Sequence, residues 1–290
     1  SRDRRKLGEL IHNYEMLFLD EAQRVPDIGI NLKILIDNFP HLKIFATGSS
    51  SFEIANHITE PLTGRKWTFQ LFPIAQLELA AEHSPFELRE QLEDRLLWGS
   101  YPEIFQFQSR DEKRHYLQEL SNDYLYKDLL ALQEIRDTTR LRRLLQLLAF
   151  QIGSEVSLNE LASQLDMSKE TVARYIDLLE KIFVIVPLSG FSRNLRKEVT
   201  KMHKYYFCDL GIRNAIIENF HALADRNDYG QLWENFLVVE RMKWNMYERT
   251  GVRSYFWRTY TGAEIDYIEE RDGHIAGYEF KWSAKKRKMP

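Results

Sequence analysis

Met16-Leu17-Phe18-Leu19-Asp20-Glu21 is a run of four apolar residues followed directly by two carboxylates. A short and fully apolar run is typical of a parallel-sheet strand that is buried on both faces. The acidic pair then lies at the carboxyl end of the strand, where open α/β sheets bind their ligands. Asp20 can hold Mg²⁺ through its water shell there, and Glu21 can orient a water toward a phosphoryl group. Because Asp-Glu is also common at ordinary strand ends, this stretch alone does not decide the chemistry.

A second apolar run, residues 42–46, ends in a sequence rich in hydroxyl groups, residues 47–51. Residues 26–38 predict a helix between the two runs, which gives a βαβ unit with a right-handed crossover. Hydroxyl groups at the end of a neighbouring strand are placed to sense a γ-phosphate. Residues 67–72 alternate in a strand-like pattern, and Arg65 precedes them. Arg65 therefore either contacts phosphate beside the acidic pair or bridges two loops at the surface.

Length and composition indicate a globular protein of two or three domains, since the chain has 290 residues of which 44% are hydrophobic and 29% charged. A net charge of −3 excludes overall charge as the means of attracting nucleic acid and leaves only local basic patches. The single cysteine, Cys208, excludes an intramolecular disulfide and fits a reducing cytoplasm. We expect no membrane partner, because no apolar stretch approaches the roughly 18 residues of a span.

The sequence contains no Gly-x-x-x-x-Gly-Lys-[Ser/Thr] and no Gly-Lys dipeptide. The loop that cradles phosphates in many nucleotide sites is therefore missing. The chain begins without methionine and ends soon after a third strand-like run near its C-terminus. We expect further sequence on both sides.

Residues 74–138 predict a helical subdomain that can serve as a lid, with helical patterns over 74–81, 85–98 and 113–132. Residues 139–221 predict a winged helix. Its three helices lie at 141–150, from Ser157 onward and at 169–183, and two strands follow at 182–186 and 204–208. Ser157 lies three residues before Glu160, a spacing that predicts a cap at the start of the second helix.

The predicted wing is basic, and a basic cluster can neutralise the phosphates of double-stranded DNA. Its residues are Arg193, Arg196, Lys197, Lys201, His203 and Lys204. The third helix mixes basic and acidic side chains, which is a weak pattern for reading a DNA groove. The alternatives are a solvated hairpin and a winged helix that only packs against its neighbours.

Residues 222–290 predict a helix over 230–247 and strands over 254–260, 263–269 and 275–282. The period of two places Glu264 with Asp266 on one strand face and Glu279 with Lys281 on another. Together with Glu234 on the helix, these carboxylates can bind a divalent metal ion, and Lys281 can stabilise a phosphorane or orient water. The alternative is a set of solvated ion pairs on the strand faces.

Several segments together resemble the prokaryotic AAA+-superfamily ATPases that carry a C-terminal domain of unknown function with a restriction-endonuclease-like fold. These segments are Leu19-Asp20-Glu21-Ala22-Gln23-Arg24-Val25-Pro26, Thr47-Gly48-Ser49-Ser50-Ser51, Leu62-Thr63-Gly64-Arg65, Gly99-Ser100-Tyr101-Pro102-Glu103, Thr171-Val172-Ala173-Arg174-Tyr175, Trp233-Glu234-Asn235-Phe236, Glu264-Ile265-Asp266 and Glu279-Phe280-Lys281. The resemblance implies an α/β fold in four parts. These are a partial P-loop sheet (1–73), a lid (74–138), a winged helix (139–221) and a nuclease-like module (222–290).

The resemblance also implies roles for individual residues. Asp20 and Glu21 match the Walker B pair, which binds Mg²⁺ and positions water, while Ser49 and Ser50 match the sensor segment and Arg65 the Gly-Arg that follows. The nuclease-like signature is matched by Glu234, Asp266, Glu279 and Lys281. Its implied metal ligands are Glu234, Asp266 and Glu279, and its implied catalytic residues are Asp266, Glu279 and Lys281.

The missing Walker A loop is the main departure from the family pattern. It implies that this chain binds ATP weakly or not at all, whereas a complete protein binds ATP with Mg²⁺ and uses its nucleotide state to control the winged helix and the C-terminal part. Two alternatives stay open, a metal-dependent DNA nuclease and a DNA-binding module without chemistry. Association of the chain with copies of itself is also open.

Overall fold

The computed structural model describes residues 3–48, 62, 64–123, 137–192, 203–259 and 261–282. The chain divides into two units, residues 1–71 and residues 72–290, and each is described by itself. Among the described residues, no helix has both the length and the apolar character that crossing a membrane requires.

The first unit contains a parallel βαβ arrangement, as the sequence predicted. Its elements are α1 (Arg4–Leu10), β1 (Met16–Leu19), α2 (Ile28–Asn38) and β2 (Lys43–Ala46). The two strands are parallel, with Met16 opposite Lys43 and Leu19 opposite Ala46. Two small apolar clusters join the strands to the helices, one containing Ile28 and Leu32 and the other Leu7 and Leu35.

The prediction that β1 is covered on both faces is wrong for the described residues. The side chains of Met16, Phe18 and Phe45 are 56%, 63% and 51% exposed. Leu17 and Leu19, which point to the other face, pack into the two apolar clusters. An apolar run therefore identified the strand, but it could not show whether a second layer covers it.

Residues 67–72 do not form the predicted strand and join neither sheet. Trp67, Phe69 and Leu71 are all exposed. A period-two pattern shows which side chains share a face, but a strand forms only against a neighbour that completes its ladder of hydrogen bonds.

In the described residues, the second unit begins with helices, and strands interspersed with further helices follow. In chain order the elements are α3 (Gln76–Glu82), α4 (Pro85–Glu90), α5 (Leu92–Trp98), α6 (Arg110–Asp123), α7 (Thr138–Phe150), β3 (Glu155–Val156), α8 (Leu158–Leu165), α9 (Lys169–Lys181), β4 (Ile185–Gly190), β5 (His203–Phe207), α10 (Leu210–Ile216), α11 (Tyr229–Tyr247), β6 (Arg253–Arg258), β7 (Glu264–Arg271) and β8 (His274–Tyr278). The α/β class is therefore confirmed. The sequence predicted most of these elements but not β3 or α10.

Among the described residues of this unit, one mixed sheet has six strands in the order β3-β5-β4-β6-β7-β8. Neighbouring strands are antiparallel except β4 and β6, which pair in parallel at Ser189–Tyr255 and Gly190–Phe256. The strands of the predicted wing thus continue directly into the strands of the predicted C-terminal module.

A shared apolar core also connects the predicted lid to the helices that follow it. The core includes Trp98 of α5, Leu117 of α6, Leu144 of α7, Leu179 of α9 and Leu232 of α11. Trp98 is buried and stacks on Phe220, with 4.9 Å between the ring centroids. The domain boundaries at 138 and 221 stay predictions, but the core passes across both.

Side-chain caps fix where the helices of this unit begin. Ser157 accepts a hydrogen bond from the Glu160 amide at 3.4 Å at the start of α8, the cap that the Ser-x-x-Glu spacing predicted. Ser168 accepts from the Thr171 amide at 3.1 Å and begins α9 in the same way. Such caps are worth about 1 kcal/mol each.

Helix α10 is held in place by buried polar contacts, and its own sequence shows no strong helical pattern. Arg213 donates to the Ala149 carbonyl at 2.8 Å from Nη2 and to Asp228 at 2.6 Å from Nη1. Asp209, which caps α10, accepts from the Ser100 amide at 2.7 Å. Gly99 has φ +74°, and a Cβ there would lie 2.0 Å from an Asp209 carboxylate oxygen, so glycine is required. These contacts come from distant parts of the chain, which explains why the sequence pattern missed the helix.

Candidate functional sites

The carboxyl ends of β1 and β2 bring a carboxylate and a hydroxyl together. Thr47 Oγ1 donates to Asp20 Oδ1 at 2.6 Å. The backbone holds them there, because the Thr47 amide donates to the Leu19 carbonyl and the Ala22 amide donates to the Thr47 carbonyl, both at 2.8 Å. Asp20 and Thr47 are exposed. The result is an accessible group of oxygen atoms at the edge of a parallel sheet, which is the type of ligand that Mg²⁺ prefers.

Glu21 makes the sharp turn that follows β1. Its φ is +50° and its ψ is 46°, the left-handed conformation that residues other than glycine rarely adopt. This turn directs the Ala22 amide to Thr47. The Glu21 carboxylate lies 3.4 Å from Arg24 Nε and is 35% exposed. Backbone strain of this kind is often found at functional sites, and it is maintained by the surrounding hydrogen bonds.

The sequence left two alternatives for Arg65, a phosphate contact beside the acidic pair and a bridge between two loops. Arg65 forms an ion pair with Asp37 near the end of α2. Since α2 runs back from the carboxyl end of β1 to the start of β2, Asp37 lies at the edge of the sheet opposite to Asp20. The interpretation of Arg65 as a surface bridge between two segments therefore fits better than a phosphate contact beside the acidic pair. Ser49 and Ser50 lie outside the described residues.

A second polar group, here called the lysine–carboxylate cluster, lies where α11, β5, β7 and the segment after β8 meet. Its members are Lys204, Tyr206, Glu234, Glu264, Asp266, Glu279 and Lys281. Asn235 fixes α11 against β5, because its side-chain amide bonds both the amide and the carbonyl of Phe207, at 2.8 Å and 2.9 Å.

Lys204 forms the inner half of the lysine–carboxylate cluster. Its Nζ lies 2.5 Å from Glu264 Oε1 and 3.3 Å from Glu234 Oε1. The hydroxyl of Tyr206 donates to the same oxygen of Glu234 at 2.7 Å. Lys204 is only 1% exposed, so this ammonium is buried between two carboxylates.

Lys281 forms the outer half of the cluster. Its Nζ lies 3.0 Å from Glu279 Oε1 and 3.8 Å from Asp266 Oδ2. The Phe280 amide donates to the same Asp266 oxygen at 2.6 Å. Asp266 is buried, whereas Lys281 is half exposed. Glu279 and Lys281 follow β8, which ends at Tyr278, rather than lying within the strand as predicted.

The charges of the cluster depend on its burial. Burial raises the pKa values of Glu234 and Asp266, although the nearby lysines oppose the shift. Burial works to lower the pKa of Lys204, but Glu234 and Glu264 outweigh it, and the pKa is raised above its usual value. Burial also raises the pKa of Tyr206, with a smaller contribution from Glu234, so this phenol stays protonated and acts as a donor.

The structure brings Asp266, Glu279 and Lys281 together, and Glu234 lies in the inner half of the same cluster. It does not gather the carboxylates as a metal site, because within the described ranges no three His, Cys, Asp or Glu residues are arranged to hold a metal ion. Sequence reasoning missed Lys204 and Tyr206 as members of the cluster. The available signal was a lysine next to the apolar residues 205–207 of a strand.

The assignment of Lys204 to a DNA-binding wing is wrong, because its side chain is buried against Glu234 and Glu264. The Lys204 ammonium also lies 5.2 Å from the ring centroid of Phe256, a buried residue of β6. Four other basic residues of the predicted wing lie outside the described part of the chain, namely Arg193, Arg196, Lys197 and Lys201, whereas His203 is described and half-buried.

Comparison with protein families divides the chain into three matched regions. Residues 2–80 match the family described as AAA domain. Residues 89–222 match Domain of unknown function (DUF8612), and residues 229–289 match Domain of unknown function (DUF4143). The AAA resemblance of the N-terminal part is therefore confirmed, as is a domain of unknown function at the C-terminus.

The chain is also similar to curated proteins of bacteria and archaea. "Uncharacterized protein Rv2008c" of Mycobacterium tuberculosis is 28% identical over 270 residues, which cover 92% of this chain and 58% of that protein. "Uncharacterized protein MJ1544" of Methanocaldococcus jannaschii is 23% identical over 303 residues, which cover 98% and 66% of the two chains. An "Uncharacterized protein" of Haemophilus influenzae is 22% identical over 213 residues, with 69% and 51% covered. The chain thus spans between about half and two thirds of these relatives.

Proposed function

We propose that a longer form of this protein, with a phosphate-binding loop upstream of residue 1, is an ATPase that binds ATP with Mg²⁺. The observation that carries this proposal is the hydrogen bond between Thr47 and Asp20 at the carboxyl edge of a parallel βαβ unit. It lies in the region that matches an AAA domain. Ligands bind at this edge of open α/β sheets.

Each residue at this edge has a proposed role. Asp20 holds Mg²⁺ through its water shell, and Glu21 orients the attacking water. Ser49 and Ser50, which follow β2 in the sequence, sense the γ-phosphate. The oxygen atoms of Asp20 and Thr47 fit a hard cation, whereas the sequence of this chain supplies no loop to cradle the phosphates.

We also propose that the nucleotide state controls the remainder of the chain. Residues 74–138 act as the lid, and residues 139–221 form a winged helix, an assignment supported by three helices followed by two antiparallel strands. The core shared by α5, α6, α7 and α9 supports movement of the lid and winged helix as one body. The nuclease and DNA-binding alternatives gain no support from the described contacts.

The proposal predicts a large difference in ATP affinity between two forms of the protein. In calorimetric titrations with MgATP, we expect the 290-residue chain to bind at least about 100-fold more weakly than a longer form that carries the loop, because the loop's amide and lysine donors are the main phosphate ligands.

The two titrations test different parts of the proposal. Tight binding by the 290-residue chain would contradict the importance of the missing loop. A correctly folded longer form that bound no ATP would contradict the ATPase proposal itself. Lys6→Met is a control substitution for the MgATP titration of this chain. Lys6 lies in α1, well before Asp20 and Glu21 in the sequence.

A further inference from the structure

We infer that the lysine–carboxylate cluster is closed to divalent metal ions, because Lys204 already supplies the cation that its buried carboxylates need. The pattern Glu234, Asp266 and Glu279-x-Lys281 predicted a metal site. The structure instead pairs Glu234 and Glu264 with the Lys204 ammonium, and Asp266 and Glu279 with that of Lys281. The C-terminal module then has no metal-dependent nuclease activity.

The first argument concerns space. A divalent ion needs several oxygen atoms at about 2.0–2.6 Å from one point. Lys204 Nζ lies between Glu234 and Glu264, at 3.3 Å and 2.5 Å from their nearest oxygens. An ion that used both carboxylates would have to displace this ammonium group.

The second argument concerns oxygen atoms that are already occupied. Glu234 Oε1 accepts from Tyr206 as well as from Lys204, and Asp266 Oδ2 accepts from the Phe280 amide. Glu279 and Asp266 share the ammonium group of Lys281. Coordination of a metal by these oxygens would break hydrogen bonds that tie together α11, β5 and the segment after β8.

The third argument concerns whether Lys204 can leave. It lies on β5, between β3 and β4, and pairs with Glu155 on one side and Leu188 on the other. Its residue is almost fully buried, and its ammonium lies over Phe256. Moving the ammonium into solvent would therefore disturb a strand that is paired on both sides. Lys204 is for this reason a fixed part of the site.

Titration of the 290-residue chain with MnCl₂, followed by calorimetry and by the electron paramagnetic resonance signal of free Mn²⁺, tests the inference. For wild type, we expect no Asp266-dependent Mn²⁺ site with a dissociation constant below about 1 mM. This limit is the dissociation constant of weak protein Ca²⁺ sites. We expect Lys204→Ser to gain a site of this affinity between Glu234 and Glu264, because removing the ammonium frees those two carboxylates. Adding Glu264→Gln to Lys204→Ser should abolish that site.

Two outcomes of the titration would overturn the inference. One is a Mn²⁺ site in wild type that Asp266→Asn or Glu234→Gln removes. The other is a folded Lys204→Ser variant that binds no more Mn²⁺ than wild type.

A crystal of the wild-type chain soaked in MnCl₂ decides the question if Lys204→Ser does not fold. Anomalous density beside Asp266 and Glu279 would contradict the inference. Lys204 lying between Glu234 and Glu264, with no anomalous density there, would support it. None of these outcomes depends on whether the protein hydrolyses ATP.

Discussion

Replacing Glu21 with Gln should lower ATP turnover by a longer, loop-bearing form about 10²-fold to 10⁴-fold, the range typical of a lost general base. Glutamine keeps the size of the side chain but removes the charge that orients the attacking water. ATP binding should change little, because Asp20 and Thr47 still hold the metal side of the site. Phosphate release measures the turnover, and calorimetry measures the binding.

Glu15→Gln is the matched control for this substitution. Glu15 is an exposed carboxylate that precedes β1, at the opposite end of the strand from Glu21. We expect its turnover to equal that of wild type. Wild-type turnover in Glu21→Gln would remove Glu21 from the proposed mechanism.

Replacing Lys204 with Met should destabilise the second unit by about 3–5 kcal/mol, the cost of removing one partner from a buried ion pair. Methionine fills much of the same space, so the loss comes mainly from leaving the half-buried Glu234 and Glu264 without the Lys204 ammonium. Unfolding in urea at pH 7 measures the change. Lys181→Met is the control, because Lys181 pairs with Asp177 on the surface of α9 at 2.6 Å, and such pairs contribute only about 0.5 kcal/mol.

A second substitution shows whether the loss of stability in Lys204→Met comes from the unpaired charges. Adding Glu234→Gln to Lys204→Met removes one of the stranded carboxylates, so we expect it to restore part of the lost stability. Equal effects of Lys204→Met and Lys181→Met would contradict the role given to the buried ammonium. If Glu234→Gln only added further loss to Lys204→Met, the charge explanation would also fail.

Local signals in the sequence predicted much of the fold. The apolar runs at 16–19 and 42–46 and the helix between them gave the parallel βαβ unit correctly. The Ser-x-x-Glu spacing at Ser157 correctly predicted a helix cap. These features depend on residues a few positions apart, where the physical causes of structure are visible in the sequence itself.

Contacts between distant residues could not be predicted in the same way. Helix α10 depends on Arg213 and Asp209 bonding to backbone groups more than 60 residues away. The parallel pairing of β4 with β6 joins strands that the sequence assigned to different domains. Each needs a three-dimensional neighbour that no local pattern specifies.

The candidate sites show the same division. The position of Asp20 at the end of an apolar strand was predictable. The grouping of Asp266, Glu279 and Lys281 was also predicted, although the last two follow β8 rather than alternate within it. The burial of Lys204 was not, because its basic neighbours along the chain indicated a solvent-facing wing. The partner of Arg65 was also missed, since only the fold shows that Asp37 lies within its reach.

The most direct test of the central claim, that the acidic pair faces a Mg²⁺–nucleotide site, is the rate of phosphate release from MgATP by the longer form with and without Asp20→Asn. We predict that wild type turns over ATP and that Asp20→Asn loses this activity while staying folded. Equal rates in the two proteins would contradict the claim.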